Sequence, residues 1–255
     1  MNNRGLIISV WIIIAAAVLA PLHGTAYGAN SFLPFKVEVD VGDEDGPKQV
    51  SKTLQLFMLL TVLSLAPAIL VMVTSFTRIV IVLSFLKRAL ATGSQPSQKI
   101  LVGLALFLTF FIMNGVWTEI NEKAYSPYVR GDLSQAEAFE LGVKPIRMFM
   151  FKQTREKDLA LFVYLSKKDK PRNHDDISTS ILIPAFIISE LKTAFTMGFI
   201  LFLPFLIIDM VVASVLLSMG MMMLPPVMIS LPFKVLLFVM VDGWYLVIRS
   251  LALSF

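Results

Sequence analysis

Cysteine is absent from the 255 residues and histidine occurs twice. Without thiols the chain can form no disulfide, no thiolate metal site and no cysteine nucleophile, whatever its compartment. Charge is also scarce: Asp, Glu, Lys and Arg make up 16% of the residues, where an ordinary soluble domain carries about a quarter. The phosphate-cradling G-x-x-x-x-G-K, the zinc helix H-E-x-x-H and the serine elbow G-x-S-x-G are all missing, so neither phosphoryl transfer nor hydrolysis has a recognisable starting point. The basic residues behind the net charge of +4 are scattered rather than gathered into a stripe, which leaves nucleic acid no electrostatic footprint. What fills the chain instead is apolar: 56% hydrophobic residues and a mean hydropathy of +0.77 place it in a membrane.

The first 28 residues have the pattern of a secretory signal peptide. Arg4 gives the positive start and Leu6 to Ala20 the apolar core; Pro21 breaks it, and Ala26-Tyr27-Gly28 offers small residues for cleavage. An uncleaved first membrane helix is the alternative, although the run is shorter than the roughly 20 residues of a span. Residues 29–53 are expected to be a polar, acidic linker on the outer face. A first apolar helical pair is expected over 54–117, interrupted at 87–99 by a loop that carries Lys87, Arg88 and Lys99 without an acid; the positive-inside rule makes this loop cytoplasmic. Residues 118–180 then form an outer segment of nearly balanced charge, and 181–255 a second apolar pair joined by a Met-rich loop at 219–226.

The apolar runs fit a bilayer poorly. Ile181 to Leu217 would extend roughly 55 Å as one helix against a hydrocarbon core of about 30 Å. Pro184 and Pro204, like Pro67 earlier, are expected break points. Arg78, Glu190, Lys192, Asp209, Lys234, Asp242 and Arg249 all fall inside apolar runs, where exposure to lipid costs about 2.5 to 3.5 kcal/mol per charge. They call for protein around them, and an oligomer would supply it. Two readings of these charges stand side by side: an ion or proton relay, and pairing between helices or subunits that fixes register. Glu190 and Lys192, two apart on a helix, face differently and each needs a partner elsewhere, which a neighbouring subunit would supply.

In the outer segment Ser134 and Glu137 predict a capping box for a short helix that Gly142 ends, and Pro145 suits the first turn of a second helix reaching Leu165. His174 with Asp175 and Asp176 reads as a solvated loop rather than a metal or acid-base site. Between 214 and 233, "SVLLSMGMMMLPPVMISLPF", five of the fourteen methionines surround Gly220, Pro225 and Pro226. Methionine packs adaptably, and a non-helical loop at membrane depth is tolerated only when buried in protein or lining a cavity. The cluster is therefore either packing filler or a soft plug.

The runs "MVTSFTRIVIVLSFLKRAL", "VGLALFLTFFIMN", "RMFMFKQTREKDLALF", "SELKTAFTMGF", "PFLIIDMVVASVLLSMGMMMLPP" and "LPFKVLLFVMVDGW" together resemble the FliP family of the flagellar type III protein-export gate, related to the SctR proteins of injectisomes. The resemblance implies an all-α membrane protein of broken helices and helical hairpins. It implies a non-enzymatic subunit, without cofactor, of a helical assembly with about five copies of itself together with FliQ and FliR, joined by FlhB and FlhA. That assembly belongs at the flagellar basal body in the bacterial inner membrane and passes unfolded flagellar proteins. Met221, Met222 and Met223 match the family's pore gate, and Gly220, Pro225 and Pro226 would break the helix around it. Phe149, Phe162 and Glu190 match its subunit-assembly positions. Arg78, Lys192, Asp209, Lys234 and Asp242 would be structural charges. An ion-coupled secondary transporter and a membrane scaffold are the competing functions; the halves carry no clear inverted repeat of the kind a transporter uses.

Overall fold

A computed structural model describes residues 47–255 except 94, 168–170, 172 and 222. The expected signal peptide, most of the linker and Met222 lie outside the described residues. The chain divides into two compact units, residues 1–68 and 69–255. The described elements are helical throughout: α1 (Pro47–Val73), α2 (Phe76–Leu90), α3 (Gln98–Ile112), α4 (Asn114–Ile120), a π segment (Asn121–Tyr125), α5 (Ser126–Arg130), α6 (Gln135–Gln153), α7 (Glu156–Leu165), α8 (Thr179–Ser218), α9 (Pro226–Met240) and α10 (Gly243–Ala252). No strand occurs among the described residues. Helix α1 starts at Pro47, so the boundary expected at residue 53 falls inside a helix.

In the second unit α2 packs along α8. Ile79, Val82, Leu83, Leu86 and Leu90 recur at helical spacing on α2 and are buried with Leu101 and Ala105 of α3, Ala194 and Phe205 of α8, Phe238 of α9, and Val247 and Leu251 of α10. Gly198 lets the two long helices approach, because a Cβ there would sit 2.6 Å from the Phe85 ring. A smaller cluster of Met150, Leu182 and Phe186 joins α6 to α8.

Several expected breaks are not breaks. Helix α8 runs 40 residues through both Pro184 and Pro204, and α1 runs through Pro67. A proline removes one hydrogen bond, whereas ending a helix among apolar side chains would orphan several backbone groups at once. The interruptions fall instead at Thr74–Ser75, at Met113 and at Val241–Asp242. Gly142 and Pro145 likewise lie inside α6. Gly142 faces the π segment, where an added Cβ would make ordinary contact with Ala124 at 3.5 Å, and the helix continues through it. The expected capping box forms: Ser134 Oγ accepts from the Glu137 amide, and the Glu137 carboxylate accepts from the Ser134 amide. The second outer helix begins at Glu156, not Pro145, and Phe149 and Phe162 therefore sit on different helices.

Among the described residues Thr179–Ser218 is long and apolar enough to cross a membrane alone, with up to four spans if each bent helix pair counts as one. Two such pairs are 98–130, bent by 56°, and 226–252, bent by 63°. Much apolar surface stays uncovered on the single chain, including Phe107 at 77%, Phe111 at 76% and Met223 at 97% exposure.

Candidate functional site

The Met-rich loop is built by two terminators. Gly220, at φ +76, ends α8: its amide donates to the Leu217 carbonyl at 3.1 Å and the Met221 amide donates to Leu216 at 2.9 Å. This pair of bonds is the Schellman motif, whose left-handed residue glycine adopts without strain. On the far side Pro226 opens α9, where a missing amide costs nothing. Met219 just before the glycine and Met221, Met223 and Leu224 between the two terminators are all exposed, and Met228 follows on the first turn of α9. The loop is an apolar tip held at both ends and uncovered by its own chain.

The intramembrane charges resolve into two clusters along α8. In the first, Arg78 is 2% exposed and Glu190 fully buried. Arg78 Nε donates to Glu190 Oε2 at 2.9 Å and Nη2 pairs with Oε1. Nη1 donates to the Ser254 carbonyl at 2.6 Å and to its Oγ at 3.0 Å, and Nη2 also reaches Gln153 Oε1 at 2.9 Å. The guanidinium lies 3.9 Å over the Phe255 ring. Glu190 thus has its partner inside its own chain, 112 residues away in sequence on α2, and not on a neighbouring subunit. In the second cluster, about 28 Å further along α8 by helical rise, Lys234 Nζ donates to Asp209 Oδ2 at 2.6 Å and to the Ala89 carbonyl at 3.3 Å, while Ser230 Oγ donates to Asp209 Oδ1. Lys234 is 2% exposed and Asp209 partly buried. Lys192, Asp242 and Arg249 are exposed on the single chain. Asp242 takes a left-handed corner at φ 51 between α9 and α10, and Gly243 beside it is needed because a Cβ there would meet the Phe238 ring at 2.2 Å.

A third cluster ties the outer helices to α8. Ser189 Oγ donates to Asp158 Oδ2 at 2.6 Å and accepts from the Arg155 amide at 3.0 Å, and Arg155 Nη2 pairs with Asp158 at 2.6 Å. Burial alone would raise the Asp158 pKa, but the Ser189 hydroxyl and the Arg155 guanidinium outweigh it and hold the carboxyl below its ordinary value. Phe149 stacks with Phe255 at 6.2 Å and meets Phe186 edge-on at 6.0 Å, so this assembly candidate already packs within its chain; Phe162 is half-buried on α7. His174, in a short turn with Asp175 and Asp176, lies 4.8 Å from the Phe151 ring.

Gln153, Ser189, Ser230 and Ser254, which satisfy these charges, were not singled out from the sequence. Their signal was faint: each is a small or neutral polar residue beside an apolar run, and only the partner gives it meaning.

Residues 59–251 match the FliP family. The chain is 58% identical over 217 residues to the flagellar biosynthetic protein FliP of Bacillus subtilis, covering 85% of this chain and 98% of that one. It is 51% identical to the protein of that name from Pectobacterium carotovorum, over 83% of this chain and 82% of the other. Against that of Caulobacter vibrioides it is 46% identical over 99% of this chain and 91% of its relative.

Proposed function

The chain belongs to the FliP family, and from that premise we propose that it is a non-enzymatic subunit of the flagellar type III export gate, its Met loop closing the conduit. Several copies, about five, would assemble with FliQ, FliR, FlhB and FlhA at the basal body in the inner membrane. Residues 118–180 would lie on the periplasmic side, and unfolded flagellar proteins would be the cargo.

The observation that carries this reading is the exposure of Met219, Met221, Met223 and Leu224. An apolar tip fixed by a Schellman turn and a proline, with Met223 97% exposed, is a poor feature for a single chain and a useful one for a ring. A ring of thioethers excludes water and ions by dewetting, and methionine's flexible side chain yields to polypeptides of varied sequence. The clusters speak against an ion-coupled transporter: Glu190 and Asp209 each already meet a cation within the chain, so neither is a bare carboxylate awaiting an ion. For oligomerisation the supporting feature is not the buried charge but the uncovered apolar surface of α3, α8 and α9.

The test replaces Met221, Met222 and Met223 by Ala in cells with an intact export apparatus. A gate predicts raised ion permeability with export retained; unchanged permeability would favour a scaffold.

A further inference from the structure

The chain holds fourteen methionines and no cysteine, so a two-electron oxidant meets thioethers as its only sulfur. The described methionines differ in access. Met113, at the bend between α3 and α4, and Met150, in the cluster that joins α6 to α8, are sealed from solvent. Met219, Met221, Met223 and Met228 are exposed and fall within ten positions, while Met148 and Met240 are exposed elsewhere on the chain.

The shape of the loop does not depend on those side chains. The amides of Gly220 and Met221 close α8 on the Leu217 and Leu216 carbonyls, and Pro226 opens α9. These are backbone interactions, so a change at the thioethers alters the polarity of the tip and leaves its two ends in place. Oxidation of a buried methionine does the opposite, because it forces a polar group into a packed core.

We propose that the Met loop is a modification site for hypohalous acids, and that its sulfoxide form opens the constriction to water and ions. The inference rests on the reading of this loop as the gate: a tip that narrows a conduit faces its lumen, and a small oxidant reaches it along the conduit. The sulfur lone pair attacks the chlorine of hypochlorous acid, giving a chlorosulfonium and hydroxide. Water then adds to sulfur, chloride leaves and two protons are lost, one of them to the hydroxide. Sulfur is oxidised by two electrons, chlorine is reduced to chloride, and one proton is released overall. A thioether is at most a weak acceptor, which suits a ring that excludes water by dewetting. Each sulfoxide adds a polar oxygen at the same position, so the ring becomes wettable.

The test uses vesicles carrying the assembled export-gate complex with this full-length chain, and dilute hypochlorous acid as the probe. Peptide mass spectrometry should find one added oxygen on the loop methionines and none on Met113 or Met150, and ion leak from the same vesicles should rise. The loop variant Met219→Leu, Met221→Leu, Met222→Leu, Met223→Leu, Met228→Leu, apolar and of similar volume, should lose that rise, each complex being compared with its own leak before oxidant. The control pair Met148→Leu, Met240→Leu should keep it. Loop thioethers that stay unoxidised, sulfoxides without added leak, or the same rise in the loop variant would each overturn the inference and leave the gate reading standing. No leak in the alanine variant of Met221, Met222 and Met223, with no oxidant present, would overturn both.

Discussion

Removing Glu190 should cost more than removing both members of its pair. Arg78 is 2% exposed and spends its donors on Glu190, Gln153 and Ser254. In Glu190→Ala the buried guanidinium keeps its other two partners but loses the one carboxylate it pairs with among the described residues. Breaking a buried pair from one side costs about 3 to 5 kcal/mol, whereas replacing both members by apolar residues of similar volume is often neutral or stabilising. Glu190→Gln, which keeps the shape and one acceptor, should fall between. The double variant Arg78→Met, Glu190→Leu should therefore recover most of the loss, although Gln153 and Ser254 then forfeit their bonds to Arg78 at about 1 kcal/mol each. The assay is reversible unfolding of the purified protein in mixed micelles, arranged as a double-mutant cycle. A loss below about 1 kcal/mol for Glu190→Ala, or a double variant as unstable as the sum of the singles, would refute the claim that this pair is sealed within one chain.

Gly198→Ala should destabilise the protein by about 1 to 3 kcal/mol, because its Cβ would sit 2.6 Å from the Phe85 ring; Gly115→Ala, with open space around it, should be neutral or slightly stabilising in the same unfolding assay. Gly220→Ala meets no neighbour, so its cost of about 1 kcal/mol arises only from the left-handed backbone, and its readout is ion leakage through a misplaced Met loop. Acid should loosen α7 from α8. The Asp158 pKa is lower in the fold than in the unfolded chain, so its contribution is fully present above the ordinary carboxylate value and disappears as pH falls through the depressed one. The protection of α7 amides, measured as exchange relative to the intrinsic rate at each pH, should fall at the acid end, and Asp158→Asn should remove that dependence.

Local chemistry with a local partner could be read from the sequence. The Ser134–Glu137 box and Gly220 as a helix breaker each need only a few neighbouring residues, and each formed as its side chain dictates, whereas Pro226, expected as a breaker, opens α9. The four apolar runs became helices for the same reason. Prolines misled because their cost had to be compared with the cost of ending a helix among apolar side chains, and that balance depends on surroundings the sequence does not display. Gly142 misled similarly, since a glycine inside a helix has the same letter as one that ends it, and here α6 continues for eleven residues beyond it. Arg78 and Glu190 were each visible as a charge in the wrong place, but their pairing spans 112 positions and emerges only when α2 lies against α8. The Met loop was legible as composition; its exposure, which turns it from filler into a candidate gate, was not.

The absence of cysteine makes the most direct test possible, because Met223→Cys introduces the molecule's only thiol. With a flagellar export substrate stalled in transit, the account predicts a covalent cross-link from position 223 to the substrate, and oxidation in the empty apparatus should join position 223 of neighbouring copies. A thiol that reacts with small maleimides yet joins neither a stalled substrate nor a second copy would contradict a Met loop that closes the export conduit.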